Sequence, residues 1–176
     1  KQLHRRKISK ASVRRGFGIF IFGLGLKVLL ANPIGKLWTQ TCAIGFESIS
    51  TPLAWMAVAA FSLQIYFDFF GYSQMAIGLG QMLGFNLPQN FDHPYQSLTM
   101  TEFWRRWHIT LGSWFRDYVY IPLGGNRNGT LPTVRNLGIV WILTGIWHGA
   151  GYNFLLWGAV LFLIILTEKF LTGKLL

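Results

Sequence analysis

The sequence is poor in three things that soluble enzymes commonly have: cysteine, acidic residues and charge in general. Cys42 is the single cysteine among 176 residues, which excludes an intrachain disulfide framework and a cysteine metal cluster. Only 12% of the residues are charged, against about 25% in an ordinary soluble domain, while 52% are hydrophobic. This deficit, together with long apolar runs, predicts an integral membrane protein.

Common catalytic motifs are missing as well. The sequence contains no Gly-x-Ser-x-Gly elbow and no glycine-rich phosphate loop after a strand, so serine-nucleophile chemistry is unsupported. His108 and His148 lie forty positions apart and do not form a metal motif, because zinc sites need three or four ligands. We therefore expect no metal site and no permanently bound cofactor.

The positive charge is unevenly distributed. Sixteen Lys and Arg residues against six acidic ones give a net charge of +10, and seven of the sixteen lie in residues 1–15. None occurs between Lys36 and Arg105. A nucleic-acid-binding domain would interleave basic residues with polar and aromatic ones, whereas here the basic block directly precedes an apolar run. The pattern favours a cytoplasmic flank of a membrane helix and argues against a nucleic-acid partner.

The hydrophobic runs predict an all-α, polytopic membrane protein in which residues 1–176 form a single membrane domain. Crossing a bilayer core of roughly 30 Å requires about 20 apolar residues. The predicted parts are a basic cytoplasmic segment at 1–15, membrane helices at 16–38 and 52–85, an amphipathic helix at 100–121 and a helical hairpin at 137–168.

Single residues mark turns and contacts of these helices. Pro52 suits the first turn of the second membrane helix, and Gly149 and Gly151 predict a break or tight turn. Gly80 and Gly84 offer a close helix contact. Residues 86–100 are predicted to form a loop, in which Asn90 is one of the turn residues.

The amphipathic helix begins with a recognisable signal. Thr99 to Glu102 fits a capping box, which predicts a helix start at about Met100. Trp104, His108, Leu111 and Phe115 then share one helical face. A helix of this kind, with aromatic and basic residues, is suited to lying at a membrane interface or re-entering the bilayer.

Ionisable side chains inside apolar runs are costly and indicate function. Lys27 could extend its amine to the interface or pair with a helix outside this chain. His148 is expected at membrane depth near the hairpin turn, where Gly145 and Gly149 leave its ring approachable and Thr144 could orient it. A neutral imidazole there could take a proton from an alcohol or thiol.

Other interpretations of the histidines and arginines remain open. His148 could be a core histidine bonded to a carbonyl, and His108 could be a second site residue or only the polar end of an interfacial helix face. Arg105, Arg106, Arg116 and Arg127 could bind cofactor phosphates at the cytoplasmic face or lipid headgroups. We expect Asp117 to pair with one of these arginines.

Several motifs, taken together, carry a family resemblance. They are Phe103 to His108 (FWRRWH), Arg116-Asp117-Tyr118, Tyr120 to Arg127 (YIPLGGNR) and Trp147-His148-Gly149, with Asn90-Phe91 and Pro94-Tyr95 before them. In this order and spacing they resemble the membrane-bound O-acyltransferase family, and within it the bacterial branch of alginate and related polysaccharide O-acetyltransferases. The resemblance covers nearly the whole chain. Family members are considerably longer, so we expect the central part of a longer protein.

The resemblance implies a mechanism. An acetyl group, most simply from acetyl-CoA on the cytoplasmic side, would pass a membrane-buried histidine to an extracytoplasmic polysaccharide, either directly or through a periplasmic partner protein. His148 matches the family's histidine and would act as general base or acyl relay. His108 matches the second histidine and would position or polarise the donor, with Arg105, Arg106 and Arg116 on the acetyl-CoA side. The resemblance also implies a multi-pass location in the bacterial inner membrane.

Three alternatives stay open at this point. The chain could be a non-catalytic conduit or transporter module that supplies acyl groups to a separate transferase. It could be inactive without the rest of its site. It could also serve D-alanyl transfer to teichoic acid, because those proteins share the Trp-His pairs, although they tend to lack the turn seen at Ile121 to Asn126.

Overall fold

Helices make up almost all of the structure, a computed structural model that describes residues 7–172. Within that range there is no strand, only an isolated bridge between Phe91 and Trp107, which confirms the predicted all-α class. The α-helices are α1 (Lys10–Gly25), α2 (Asn32–Ile44), α3 (Thr51–Met82), α4 (Met100–Arg106), α5 (Ile109–Phe115), α6 (Thr130–His148) and α7 (Tyr152–Thr167). Contacts group the chain into two compact units, one up to Gln89 and one from Asn90, which are described separately.

The first helix of the chain is longer than predicted. Ser9 and Ser12 cap α1 reciprocally, each side chain bonding the other's backbone N–H at 3.0 Å, so the helix begins inside the basic segment predicted at 1–15. A π-helical segment, Leu26–Ala31, joins α1 to α2, and the helical run ends at Ile44 rather than at residue 38. Pro33 lies two residues after the end of the π segment, in the first turn of α2. Because proline has no N–H, the regular α-helical ladder cannot run through this point.

Small residues bring α1 and α3 into close contact. A Cβ added to Gly16 would lie 2.5 Å from the carbonyl oxygen of Gly78, and one added to Gly23 would lie 2.5 Å from that of Gly71. Glycine at such crossings lets helix backbones approach closely, as is common between membrane helices.

The predicted close contact at Gly80 and Gly84 has a different form. Gly80 faces the side chain of Leu87, and Gly84 adopts a φ of +81° just after α3 ends at Met82. A positive φ is readily adopted by glycine, so Gly84 terminates the helix that was predicted to run to residue 85.

Two charged residues within the apolar helices of this unit form a pair. Lys27 Nζ, in the π segment, lies 2.7 and 2.8 Å from the two carboxylate oxygens of Asp68 in α3. The expectation that Lys27 pairs outside the chain or extends to the interface is therefore wrong: its partner lies forty-one residues further along the chain. Pairing lowers the cost of placing both charges between apolar helices.

Among residues 7–172, three helical runs are long and apolar enough to cross a membrane: Lys10–Ile44, Thr51–Met82 and Tyr152–Leu171. The second of them opens with Pro52 in its first turn, as predicted, where its missing N–H costs nothing.

In the second unit, α6 and α7 form the predicted helical hairpin. A Cβ on Gly145 would lie 2.7 Å from the carbonyl oxygen of Phe154, and one on Gly158 would lie 2.6 Å from that of Trp141, so the two helices touch through their backbones. The turn falls at Gly149 to Gly151, where the glycine pair predicted a break. Buried side chains of Trp141, Leu161 and Ile165 form the core, against which Met100, Trp104, Trp157 and Phe162 pack.

The helix predicted over 100–121 is wrong as a single element. It starts where predicted, with the Thr99 hydroxyl accepting from the Glu102 N–H at 3.1 Å, but α4 ends at Arg106. Trp107 is extended and His108 is left-handed before α5 begins at Ile109. The physical reason lies elsewhere in the chain: the 90–92 segment pairs with the 106–109 segment, through the Asp92 N–H to the Arg106 carbonyl and the Ile109 N–H to the Asn90 carbonyl, both at 3.0 Å. These bonds replace helical ones.

Candidate active site

A cavity of about 190 Å³ lies between the α4–α5 region and α6 in the second unit. Its wall is mostly aromatic and aliphatic, with a few polar groups, which is typical of a small-molecule site. The lining residues are Trp104, Trp107, His108, Leu111, Gly112, Phe115, Arg116, Tyr120, Leu137, Val140, Trp141, Thr144 and His148. The structure therefore brings the two predicted site histidines to one cavity.

The four residues predicted to share one helix face all line this cavity, although the helix itself is interrupted. Trp104 belongs to α4, His108 to the interruption, and Leu111 and Phe115 to α5. The apolar face is preserved across the break, so the prediction of the face is confirmed while the continuous helix is not.

His108 is held by its backbone and by its ring. It has a φ of +47°, in the left-handed region, which is uncommon for residues other than glycine. Its Nδ1 lies 3.0 Å from the side-chain oxygen of Asn90. Burial first, and then the imidazole of His148, lower the pKa of His108 below its usual value, so its ring favours the neutral form.

His148 ends α6 and is surrounded by aromatic rings. Its ring stacks on Phe154 at a centroid distance of 6.1 Å and meets Trp157 edge-on at 4.6 Å. The Thr144 hydroxyl donates to the carbonyl of Val140 at 2.8 Å, so its hydrogen is not available to the His148 ring, and the orienting role of Thr144 stays a prediction. Gly145 does not open space around the ring either, since it accommodates the backbone of α7 at Phe154.

Trp147 links the two histidines. Its ring centroid lies 5.7 Å from that of His108 and 5.0 Å from that of His148, edge-on in both cases. Both imidazoles also line the cavity, so a substrate bound there has two imidazole rings in the surrounding wall. This arrangement suits proton transfer between a hydroxyl or thiol and a neutral imidazole.

The three arginines predicted on the acetyl-CoA side have different surroundings. Arg106 pairs with Glu102 at 2.7 Å, one helical turn away. Arg105 and Arg116 line a second cavity of about 480 Å³, and Arg116 also borders the first one. The predicted partner of Asp117 is confirmed as Arg116: a hydrogen bond from the Arg116 Nε at 2.7 Å lowers the pKa of that carboxyl.

Three polar residues near the site were missed by sequence reasoning. Tyr120 lines the cavity, and burial raises its pKa. Asn136 is 0% exposed, and its side-chain amide donates to the carbonyls of Leu123 and Gly125 at 3.1 and 2.9 Å, which fixes the turn after Tyr120. Asn90, noted only as a turn residue and as part of the resemblance, contacts His108. No spacing rule connects positions so far apart in the chain.

The described residues, 7–172, contain no group of three or more His, Cys, Asp or Glu side chains that could hold a metal ion. The polar groups of the side chains that line the cavity are two imidazoles, a guanidinium, a phenol, a hydroxyl and three indole N–H groups. These groups can move a proton and bind an anion or a carbonyl.

Comparisons with known proteins agree with this chemistry. The model of the MBOAT, or membrane-bound O-acyltransferase, family matches residues 11–174. A Pseudomonas aeruginosa protein named "Probable alginate O-acetylase AlgI" is 45% identical over 158 residues, which are 90% of this chain and 30% of that protein. A Helicobacter pylori "Peptidoglycan O-acetyltransferase" is 47% identical over 146 residues, 80% of this chain and 27% of that protein.

A more distant relative is a Bacillus subtilis "Teichoic acid D-alanyltransferase", 34% identical over 109 residues, 56% of this chain and 27% of that protein. The chain spans less than a third of the length of each of these three relatives. Because the family model matches almost the whole chain and the alginate relative aligns over 90% of it, this chain belongs to the membrane-bound O-acyltransferase family.

Proposed function

We propose that this chain is the catalytic part of an O-acyltransferase that moves an acetyl group from acetyl-CoA to the hydroxyl of an extracytoplasmic polysaccharide. The observation that carries the proposal is the convergence of His108 and His148 on one mostly apolar cavity. The names of two relatives, an alginate O-acetylase and a peptidoglycan O-acetyltransferase, support the acetyl group and a glycan acceptor.

In the proposed reaction, His148 acts as the general base. Its neutral imidazole takes the proton of the acceptor hydroxyl while the hydroxyl oxygen forms a bond to the acetyl carbonyl carbon. The thioester C–S bond breaks, and the departing thiolate takes the proton from the imidazolium, so no other reactant is needed. General base catalysis by a positioned histidine contributes about 10²- to 10⁴-fold to a rate.

The donor's phosphates would lie near Arg105 and Arg116. Both arginines line the second cavity, and Arg116 also borders the cavity of the histidines, so an elongated thioester could reach from one to the other. Arginine binds phosphate oxygens through paired N–H groups. Arg106 is a weaker candidate, since its guanidinium already pairs with Glu102.

The site would operate in a bacterial inner membrane, with the donor supplied from the cytoplasm and the acceptor on the other side. Three helical runs in the described part of the chain are long and apolar enough to cross a membrane, which supports the membrane location. Either the polysaccharide itself or an intermediate partner protein would receive the acetyl group.

The test compares two histidine variants in cells that carry the full-length protein. His148→Asn removes the titratable ring at the site, and His93→Asn removes one from an exposed loop, where asparagine tolerates the left-handed backbone at φ +46°. At equal membrane abundance, His148→Asn should lower polysaccharide acetate by about 100-fold or more. His93→Asn should leave it unchanged.

The outcomes separate the alternatives. Retained acetylation in His148→Asn would refute His148 as the base and favour a conduit that serves another transferase. The similarity to a D-alanyltransferase gives a second candidate, so the esters released by mild alkali are analysed for D-alanine as well as acetate. D-alanine in place of acetate would overturn the proposed acetyl substrate while retaining acyl transfer.

A further inference from the structure

The ring of His108 has a defined hydrogen-bond partner. Asn90 lies eighteen residues earlier, and its side-chain oxygen is 3.0 Å from the His108 Nδ1. The same oxygen also accepts from the backbone N–H of Thr110 at 3.2 Å and from the Thr110 hydroxyl at 2.9 Å. The bonds between the 90–92 and 106–109 segments place Asn90 directly beside the interruption that contains His108.

The Thr110 N–H decides which end of the Asn90 amide faces His108. A backbone N–H can only donate, so the group that meets it must be the oxygen and not the NH₂ of Asn90. An amide oxygen can only accept, so the His108 Nδ1 that faces the same oxygen must carry a hydrogen. This holds for the neutral and for the charged imidazole.

We propose that Asn90 is a positioning residue that locks His108 in the Nδ1–H tautomer, so that Nε2 is its basic nitrogen. The inference rests on the proposed function for its catalytic meaning. Through Nε2, neutral His108 accepts a hydrogen bond from an N–H, O–H or S–H group of a substrate. It polarises an acyl carbonyl only after it gains a second proton.

The tautomer narrows the role of His108. The family resemblance suggested that His108 either positions or polarises the acyl donor. A neutral ring that carries its hydrogen at Nδ1 can position the donor but cannot polarise its carbonyl. The hydrogen-bond donors to the acyl carbonyl oxygen must then be other groups. Polar neighbours that line the same cavity are Arg116, Tyr120, Thr144 and His148.

The effect of a charge change at Asn90 on the pKa of His108 depends on the charged and titratable groups that already lie nearby. Arg116, Tyr120 and His148 share its cavity, and Asp92 lies two residues from Asn90, where it contacts His93. Among the residues that the structure describes, burial and the His148 imidazole shift the pKa of His108, and no carboxylate does. Asn90→Asp would place one at Nδ1 without changing the shape of the side chain, and a carboxylate favours the charged imidazole.

The first experiment measures the tautomer without using activity. Nitrogen NMR of the full-length protein with labelled histidine, in vesicles above the pKa of His108, distinguishes the protonated from the bare ring nitrogen. The His108 signals are assigned by their loss in His108→Gln. Nδ1 should be the protonated nitrogen in the wild type, and Asn90→Leu should give a mixture of tautomers.

Thr110→Val is the matched control within the same hydrogen-bond network. It removes the hydroxyl that lies 3.5 Å from the His108 Nδ1 but keeps the Thr110 N–H that orients Asn90. The tautomer should be unchanged. The proposal is overturned if wild-type His108 is protonated at Nε2, or if Thr110→Val disturbs the tautomer while Asn90→Leu does not.

The second experiment is the pH profile of acetyl transfer. Asn90→Asp should move the acid limb toward higher pH by about one unit, which is a roughly tenfold loss of rate on that limb with the plateau retained. Asp92→Asn, a charge change two residues away, should leave the limb in place. An unmoved limb in Asn90→Asp would show that Asn90 does not act through His108. If the wild type transfers no acetyl group at all, the proposed function fails, but the NMR result still decides the tautomer.

Discussion

Gly138 and Gly145 lie on the same helix, and alanine should be tolerated at Gly138 but not at Gly145 without a cost in stability. A Cβ on Gly138 would meet the ring of Phe162 at 3.6 Å, an ordinary van der Waals distance. A Cβ on Gly145 would lie 2.7 Å from the backbone oxygen of Phe154, which cannot move aside without moving α7. Only the second substitution forces the hairpin apart.

The expected magnitudes follow from these two distances. Alanine is favoured over glycine in a helix interior by about 1 kcal/mol, and both variants gain this term. Overpacking costs about 1–3 kcal/mol and applies to Gly145→Ala alone. Gly138→Ala should therefore stabilise by up to about 1 kcal/mol, and Gly145→Ala should be less stable than Gly138→Ala by about 1–3 kcal/mol.

Thermal unfolding of the full-length protein in detergent, followed by tryptophan fluorescence, checks the difference. Acetyl transfer provides a second measurement, because the rings of Phe154 and Trp157 contact His148 and would shift with α7. Gly145→Ala should lose activity as well as stability, and Gly138→Ala should lose neither. Equal midpoints for the two variants would refute the tight α6–α7 contact.

Three further predictions concern single polar groups. Asn136→Ala removes the amide that donates to the carbonyls of Leu123 and Gly125, and should lower the unfolding free energy by about 2–4 kcal/mol in a denaturant titration. Asn128 is exposed, so Asn128→Ala should change the unfolding free energy by no more than about 0.5 kcal/mol. Asp68→Asn leaves the Lys27 ammonium without its counter-charge and should lower the unfolding free energy by about 1–2 kcal/mol. The loss is smaller than for a fully buried pair because the two side chains are 38–40% exposed. Combining Lys27→Met with Asp68→Leu should restore the unfolding free energy, and the absence of any recovery in thermal unfolding would contradict this reasoning. Burial lowers the pKa of His108 below its usual value, so acetyl transfer should decline only at acidic pH, where the ring gains a proton. An acid limb of the pH–rate profile whose midpoint lies above the ordinary histidine pKa of about 6.5 would count against a neutral His108.

Local signals predicted the structure well wherever the physical cause lies within a few residues. The Thr99 cap forms with the Glu102 N–H, Pro52 occupies a first turn, and Gly149 to Gly151 separates two helices, each as predicted. In each case a side chain or a missing N–H acts on its own turn of the backbone.

The features that were missed depend on partners far away in the sequence. The interruption at His108 arises from bonds to the 90–92 segment, and Lys27 meets Asp68 across two helices. A continuous apolar periodicity could not reveal that backbone bonds to another segment replace helical ones. The prediction that Trp104 and Phe115 share one face was nevertheless correct. The apolar periodicity reflects burial on one side of the chain, and that side lines the same cavity before and after the break.

The π segment Leu26–Ala31 has a geometric consequence for the helix that follows it. Gly35 comes twelve residues after Gly23, and both contact α3, where Gly35 faces the Gln64 side chain. At about 3.6 residues per turn, a regular α-helix would turn Gly35 about 120° away from the face of Gly23. A π turn closes its hydrogen bond one residue later and so absorbs one residue. The π segment therefore keeps Gly35 on the same side of the helical run as Gly23. One inserted residue fits into the run, and α2 still faces α3.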